Sequence, residues 1–206
     1  MSSRPAAIEA LLGTATLWRG RADPGARPPA VAASGWPTLD ALLPGGGWPL
    51  GNLIEVGIAR PGSGETALFL PLLAASTGRI VLVDPPFLPY APGLAQAGIG
   101  LARLWWIRTG NARERLWATE QTLRSGVAAA VLCWPERLDP GHGRRLQLAA
   151  EAGAGLGLCF RPRRELEQTS HAPLRLSLSP EAGHWRIDLL KCRGRTGGTR
   201  LHLARA

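Results

Sequence analysis

Apolar positions along the chain fall into short runs separated by polar, helix-spaced stretches, and this alternation predicts an α/β protein. Residues 6–18 (AAIEALLGTATLW) place Ile8, Leu11, Leu12 and Leu17 near one face of a short helix. The stretch that follows, RGRADPGARPPA, reads as exposed linker. Residues 1–32 are therefore expected to be an N-terminal helix and linker, and 33–206 the folded body. Leu53–Val56 predicts a strand, followed by a Gly-rich turn and by Thr66–Ala75, which Pro71 limits to a short or kinked helix. Arg79–Asp84 and Leu104–Ile107 read as buried strands. Asn111–Arg124 has helical spacing, with Gly126 as its stop. Ala128–Trp134 predicts a third central strand, Gly143–Ala152 a helix and Leu156–Phe160 a fourth strand. Such βαβ units imply a mostly parallel sheet with helices on both faces.

The last third changes period. Leu174–Leu178, Trp185–Leu189 and Leu201–Leu203 alternate apolar and polar residues, with turns at Pro180–Gly183 and Gly194–Gly198. An antiparallel extension on the sheet edge is expected there. No internal repeat is present.

Composition narrows the class. Of 206 residues, 45% are hydrophobic and 19% charged, which suits one globular domain and not a disordered chain. The net charge is +9, and only one cation is a lysine, Lys191. From residue 137 onward there are 13 cations and 6 acids, net +7; the first 136 residues hold 11 and 9, net +2. A basic C-terminal third points to a polyanion, nucleic acid before membrane; genome base composition is the bland alternative source of the arginines. Cys133, Cys159 and Cys192 are an odd set without CxxC spacing, and the first two sit in apolar runs, as buried free thiols of a reducing compartment do. The four histidines form no metal-ligand pattern. Without a membrane-length apolar run or a signal-peptide pattern, a cytoplasmic protein with neither metal nor cofactor is expected.

One segment carries the chemistry. The first strand leads into Gly57-Ile-Ala-Arg-Pro-Gly-Ser-Gly-Glu-Thr66. A working phosphate loop follows a strand with glycines whose N–H groups cradle phosphates, then a lysine on the β/γ-phosphates and a Ser/Thr on Mg²⁺. Gly62, Ser63, Gly64 and Thr66 fit that design, but Glu65 stands where the lysine belongs. A carboxylate about 4 Å from a phosphate oxygen repels it by about 4 kcal/mol at an effective dielectric near 20. Lysine would attract comparably, and the swing is the size of an ordinary micromolar affinity, about 8 kcal/mol. Glu65 also has a plainer role, favouring a helix N-terminus through the macrodipole. The Mg²⁺-holding acid expected at the end of a central strand is missing too: Ala128–Trp134 runs into Pro135, with no acid before Glu136. Asp84 runs into Pro85-Pro86-Phe87 and reads as a capping or turn residue. ATP hydrolysis is not expected.

The order of these features resembles the RecA recombinase core. Ala33-Ser-Gly-Trp-Pro-Thr-Leu-Asp-Ala-Leu-Leu43, Pro44-Gly-Gly-Gly-Trp-Pro-Leu-Gly51 and Asn52-Leu-Ile-Glu-Val-Gly57 look like its lead-in to the phosphate-loop strand. Within that superfamily the chain is most similar to the ImuA proteins. The distinctive strings are Leu17-Trp-Arg-Gly20, Val83-Asp-Pro-Pro-Phe-Leu-Pro-Tyr-Ala-Pro92, Leu116-Trp-Ala-Thr-Glu-Gln-Thr-Leu-Arg-Ser-Gly126 and Arg144-Arg-Leu-Gln-Leu-Ala-Ala-Glu-Ala-Gly153. The resemblance implies a non-catalytic accessory protein of damage-induced translesion synthesis. Its implied partners are an ImuB-like inactive Y-family polymerase, an error-prone replicative-type DNA polymerase and RecA, with self-association also open. Alternatives are a SulA-type division inhibitor that binds FtsZ, and a residual RecA-like ATPase.

Candidate surfaces follow from the resemblance. Arg161, Arg163 and Arg164 follow the Leu156–Phe160 strand, where RecA relatives place a DNA-facing loop. Arg193, Arg195 and Arg200 flank the last hairpin turn, and Lys191 enters it; a solvated face is the alternative for all of them. Leu17, Trp18 and Arg19 are expected to anchor a partner or a neighbouring subunit. Trp105, Trp106 and Trp134 are expected in the core, and Trp36 and Trp48 as plugs of the vacated nucleotide pocket.

Overall fold

The computed structural model describes residues 30–192 and 198–204. The helix expected over 6–18, most of the linker, the anchor Leu17–Arg19, and Arg193 and Arg195 lie outside the described residues.

The described chain is a mixed α/β fold around one eight-stranded sheet. A small antiparallel pair precedes it, β1 (Val31–Ala32) with β2 (Trp48–Pro49), bridged by a short helix α1 (Pro37–Asp40). Ordered pairing thus starts two residues before the boundary expected at 33. The sheet holds β3 (Leu53–Ile58), β4 (Arg79–Val83), β5 (Leu104–Ile107), β6 (Ala128–Cys133), β7 (Leu156–Pro162), β8 (Leu174–Glu181), β9 (His184–Cys192) and β10 (Thr199–Ala204), in the order β10-β9-β8-β3-β7-β6-β4-β5. Strands β5, β4, β6, β7, β3 and β8 run parallel; only β9 and β10 are antiparallel. Leu174–Leu178 is therefore not part of an antiparallel extension but the parallel neighbour of β3. Period-two alternation reports which face of a strand is buried and is silent about the direction of its neighbour.

The return from β7 to β8 crosses the end of β3 through a 3-10 turn, Arg163–Glu167. Leu166 lies so close to Gly57 that a Cβ there would stand 2.2 Å from the leucine methyl, so only glycine admits the crossing.

Local chemistry sets the helices. Helix α4 (Ala112–Arg124) starts where the Asn111 side chain accepts the Glu114 N–H at 3.0 Å while Glu114 reaches back to the Gly110 N–H at 2.8 Å. Helix α5 (Pro140–Gly153) begins earlier than the expected Gly143, because Asp139 caps the His142 N–H and Pro140 occupies the first turn. After the phosphate-loop segment the chain forms a 3-10 turn, Ala67–Phe69, and only then the six-residue α2 (Leu70–Ala75), as Pro71 predicts. A second six-residue helix, α3 (Ala91–Gln96), follows β4.

Two cores lie on the two faces of the sheet. The larger gathers α1, α2 and the antiparallel strands over Ile54, Val56, Leu82, Leu132 and Phe160; the smaller packs α4 and α5 on Val81, Val83, Val131 and Cys159. Cys133 and Cys159 face each other in register and are buried free thiols; their mutual contact, and then burial, push the Cys159 thiol well up. Trp105 and Trp106 are not core: they are 47% and 41% exposed, because β5 is the edge strand. Arg79 and Arg108 stack over them, 4.9 and 5.2 Å from the ring centres. Trp134 is half-buried and packs against the larger core. Among the described residues no helix is long and apolar enough to cross a membrane.

Candidate functional site

The loop after β3 lies at the carboxyl ends of the parallel strands, where open α/β sheets bind ligands. Gly62 and Gly64 adopt φ of +79° and +87°. The N–H of Gly62 does not face open space, however: it donates to Glu65 Oε1 at 3.0 Å. The same oxygen accepts the Trp134 indole N–H at 3.1 Å. The two residues that replace the expected lysine and the expected metal-binding acid are hydrogen-bonded to each other. Glu65 is only 3% exposed, so its carboxylate sits inside the loop where a phosphate would be cradled. Ser63 turns its hydroxyl onto the Arg60 carbonyl at 2.5 Å. Thr66 precedes the 3-10 turn with no capping bond from its side chain. The α-helix begins only at Leu70, so its N-terminus is displaced from the loop it would polarise.

Trp134 is held by stacking on Phe160 at 5.0 Å, and Phe160 in turn meets Phe69 edge-on at 5.9 Å. Beside the loop opens a groove of about 410 Å³ lined by Glu65, Thr66, Leu70, Leu132 and Trp134, and by the segment 85–90 after β4. Trp36 and Trp48 do not plug it. Trp48 is fully buried against Phe69, 4.7 Å between ring centres, and Trp36 packs edge-on against Trp185 and donates to the Leu68 carbonyl. Both belong to the core beneath the β1–β2 pair, and the groove stands open.

Asp84, the remaining acid near these strand ends, adopts φ +44° and spends both oxygens on structure. It accepts the Thr109 N–H at 2.8 Å and the Thr109 hydroxyl, and pairs with Arg115 at 3.0 Å. Burial pushes its carboxyl upward, but the two Thr109 bonds and Arg115 outweigh that and hold it below the usual carboxylate range. This ties β4, the loop after β5 and α4 together, as the turn reading anticipates.

The arginines expected to face DNA separate into two kinds. Arg161 is 1% exposed and cannot meet a phosphate: it pairs with Glu55 at 2.9 Å and donates to the Leu138 carbonyl. Arg175 joins the same carboxylate at 3.2 Å, and the Ser170 hydroxyl donates to it as well. Sequence reasoning missed this triad, although a glutamate inside the otherwise apolar strand Leu53–Ile58 signals that buried partners exist. Arg163, Arg164 and Arg200 are exposed. Arg163 and Arg200 converge with Arg186 on Asp188, at 3.7, 2.5 and 3.7 Å. Lys191 donates to the Ser170 carbonyl at 2.8 Å, and burial, then Arg175, lower its pKa.

No family model matches the chain. It is 32% identical over 201 residues to Protein ImuA of Caulobacter vibrioides, in strains NA1000 and CB 15 alike, covering 83% of this chain and 82% of that protein. A shorter stretch of 69 residues is 36% identical to the cell division inhibitor SulA of Edwardsiella piscicida, covering 34% of this chain and 41% of that one. The crystal structure of SulA from Pseudomonas aeruginosa superposes with a TM-score of 0.44 at 21% identity, over 53% of this chain and 97% of that one. By the extent of the match to ImuA, this chain belongs to the ImuA family.

Proposed function

We propose that this protein is a non-catalytic, RecA-like accessory factor of damage-induced translesion DNA synthesis. The observation that carries the reading is the hydrogen bond between Glu65 and Trp134. With Glu65 also holding the Gly62 N–H, the loop's own carboxylate takes the place of the phosphate and repels one that approaches. Membership of the ImuA family supplies the setting. The partners in this reading are an ImuB-like inactive polymerase, an error-prone replicative-type polymerase and RecA, and co-purification from damaged cells is the check on them. Calorimetric titration with Mg²⁺-ATP is expected to show heats of dilution alone; a micromolar Kd would overturn the reading. The stretch shared with SulA supports a second reading, division inhibition through FtsZ, which filamentation on overexpression would favour.

DNA contact belongs to the same proposal, carried by Arg163, Arg164, Lys191 and Arg200, with Arg186 added by its place beside them. The double variant R163E/R164E is expected to weaken single-stranded DNA binding and reduce the slope of log affinity against log salt by about 2, roughly one for each phosphate no longer neutralised. An unchanged titration would remove this surface from the proposal.

A further inference from the structure

The groove beside the phosphate loop keeps a chemical feature that its own walls leave unused. Its sides are leucine, isoleucine and proline, and its rim carries Phe87, Leu88 and Tyr90, exposed to 63%, 76% and 73%. On its floor the second oxygen of Glu65, Oε2, is buried without a hydrogen-bond partner among the described residues. An unanswered buried carboxylate oxygen is costly, and a rim this apolar marks an interaction site. Such a cleft asks for a ligand that is apolar along most of its length and presents one cationic donor.

We infer that the groove is the docking site of this chain's own N-terminal segment, with Leu17 and Trp18 in the apolar cleft and the Arg19 guanidinium on Glu65 Oε2. The inference rests on the reading of the loop as closed to nucleotide. Outside the described residues, Leu17-Trp18-Arg19 is the place where a large apolar pair is followed directly by a cation. The ordered chain begins on the correct side of the sheet. The carbonyl of Ala30 accepts the Leu50 N–H at 2.9 Å, and Ala32 packs against the same core that supplies the groove walls Leu73, Ile80, Leu82 and Leu132. The ten residues 20–29 reach up to about 33–36 Å, while adjacent strands lie only about 4.8 Å apart. The tether raises the local concentration of the segment into the millimolar range, so a modest fit suffices.

The test uses the full chain with p-benzoylphenylalanine in place of Leu17, irradiation and peptide mass spectrometry. Expected are intramolecular cross-links to residues 85–90 or to Trp134, in a yield unchanged by dilution. Trp18→Ala, Arg19→Gln and Glu65→Gln should each lower that yield, Arg19→Gln by about tenfold, equivalent to about 1.4 kcal/mol of coupling. The first two changes lie outside the folded body, so the unfolding transition of the body should not move with them. A yield that falls on dilution would assign the groove to a second copy and overturn the inference. Links elsewhere, or an undiminished yield in Arg19→Gln, would overturn it as well. Mg²⁺-ATP binding beside an intact cross-link would sink the functional reading alone, whereas a missing cross-link without ATP binding would sink only this inference.

Discussion

Replacing Glu55 by glutamine is expected to lower the unfolding free energy by about 3–5 kcal/mol, the cost of leaving buried charge uncompensated. Glu55 is 1% exposed in the middle of β3 and answers two guanidiniums, Arg161 from β7 and Arg175 from β8. These are the strands on either side of β3, so one carboxylate ties the three central strands together. Glutamine keeps the shape but removes the charge, and its amide points donors at groups that are themselves donors. Each kcal/mol shifts Tm by about 2–4 °C in a chain of this size, so thermal melts read the loss directly. Exchanging all three residues together for apolar ones of similar volume should cost far less, because no orphaned charge remains. A Glu55→Gln variant that melts with the parent would mean that water reaches the triad.

Trp48→Ala is expected to cost about 3–5 kcal/mol, the range of large-to-small core changes. Its ring is fully buried, tilted over Phe69, and it holds the β1–β2 pair against the larger core. The indole N–H has no partner among the described residues, so Trp48→Phe reduces packing without removing a hydrogen bond and should cost much less. Denaturant midpoints for the two variants separate a core role from a pocket role. Were Trp48 a plug, Trp48→Ala would leave stability nearly unchanged and enlarge the groove.

The signals legible in the chain are those that local chemistry writes. The Asn111 and Asp139 caps, the Pro71 limit on the helix after the loop and the apolar runs of β3, β4, β6 and β7 all sit where the residues place them. So does the exchange of lysine for Glu65, since a phosphate loop is a local pattern. Other features depend on which elements become neighbours. Leu104–Ile107 reads like a buried strand, yet it lands on the sheet edge and exposes both tryptophans. Arg161 follows a strand just as Arg163 does, but pleating turns it inward onto Glu55 while Arg163 stays at the surface.

The sequence by itself therefore determined the α/β class, the helix boundaries set by caps and proline, and the loss of the lysine and the metal-binding acid. These depend on interactions within a few residues, which side-chain chemistry specifies without knowledge of the fold. Tertiary structure alone decided that β8 runs parallel to β3, that Trp36 and Trp48 are core, and that an apolar groove opens under Phe87 and Tyr90. It also decided that Glu65 and Trp134, 69 positions apart, close on each other. Pairing across such separations follows from the sheet order, which no local period encodes.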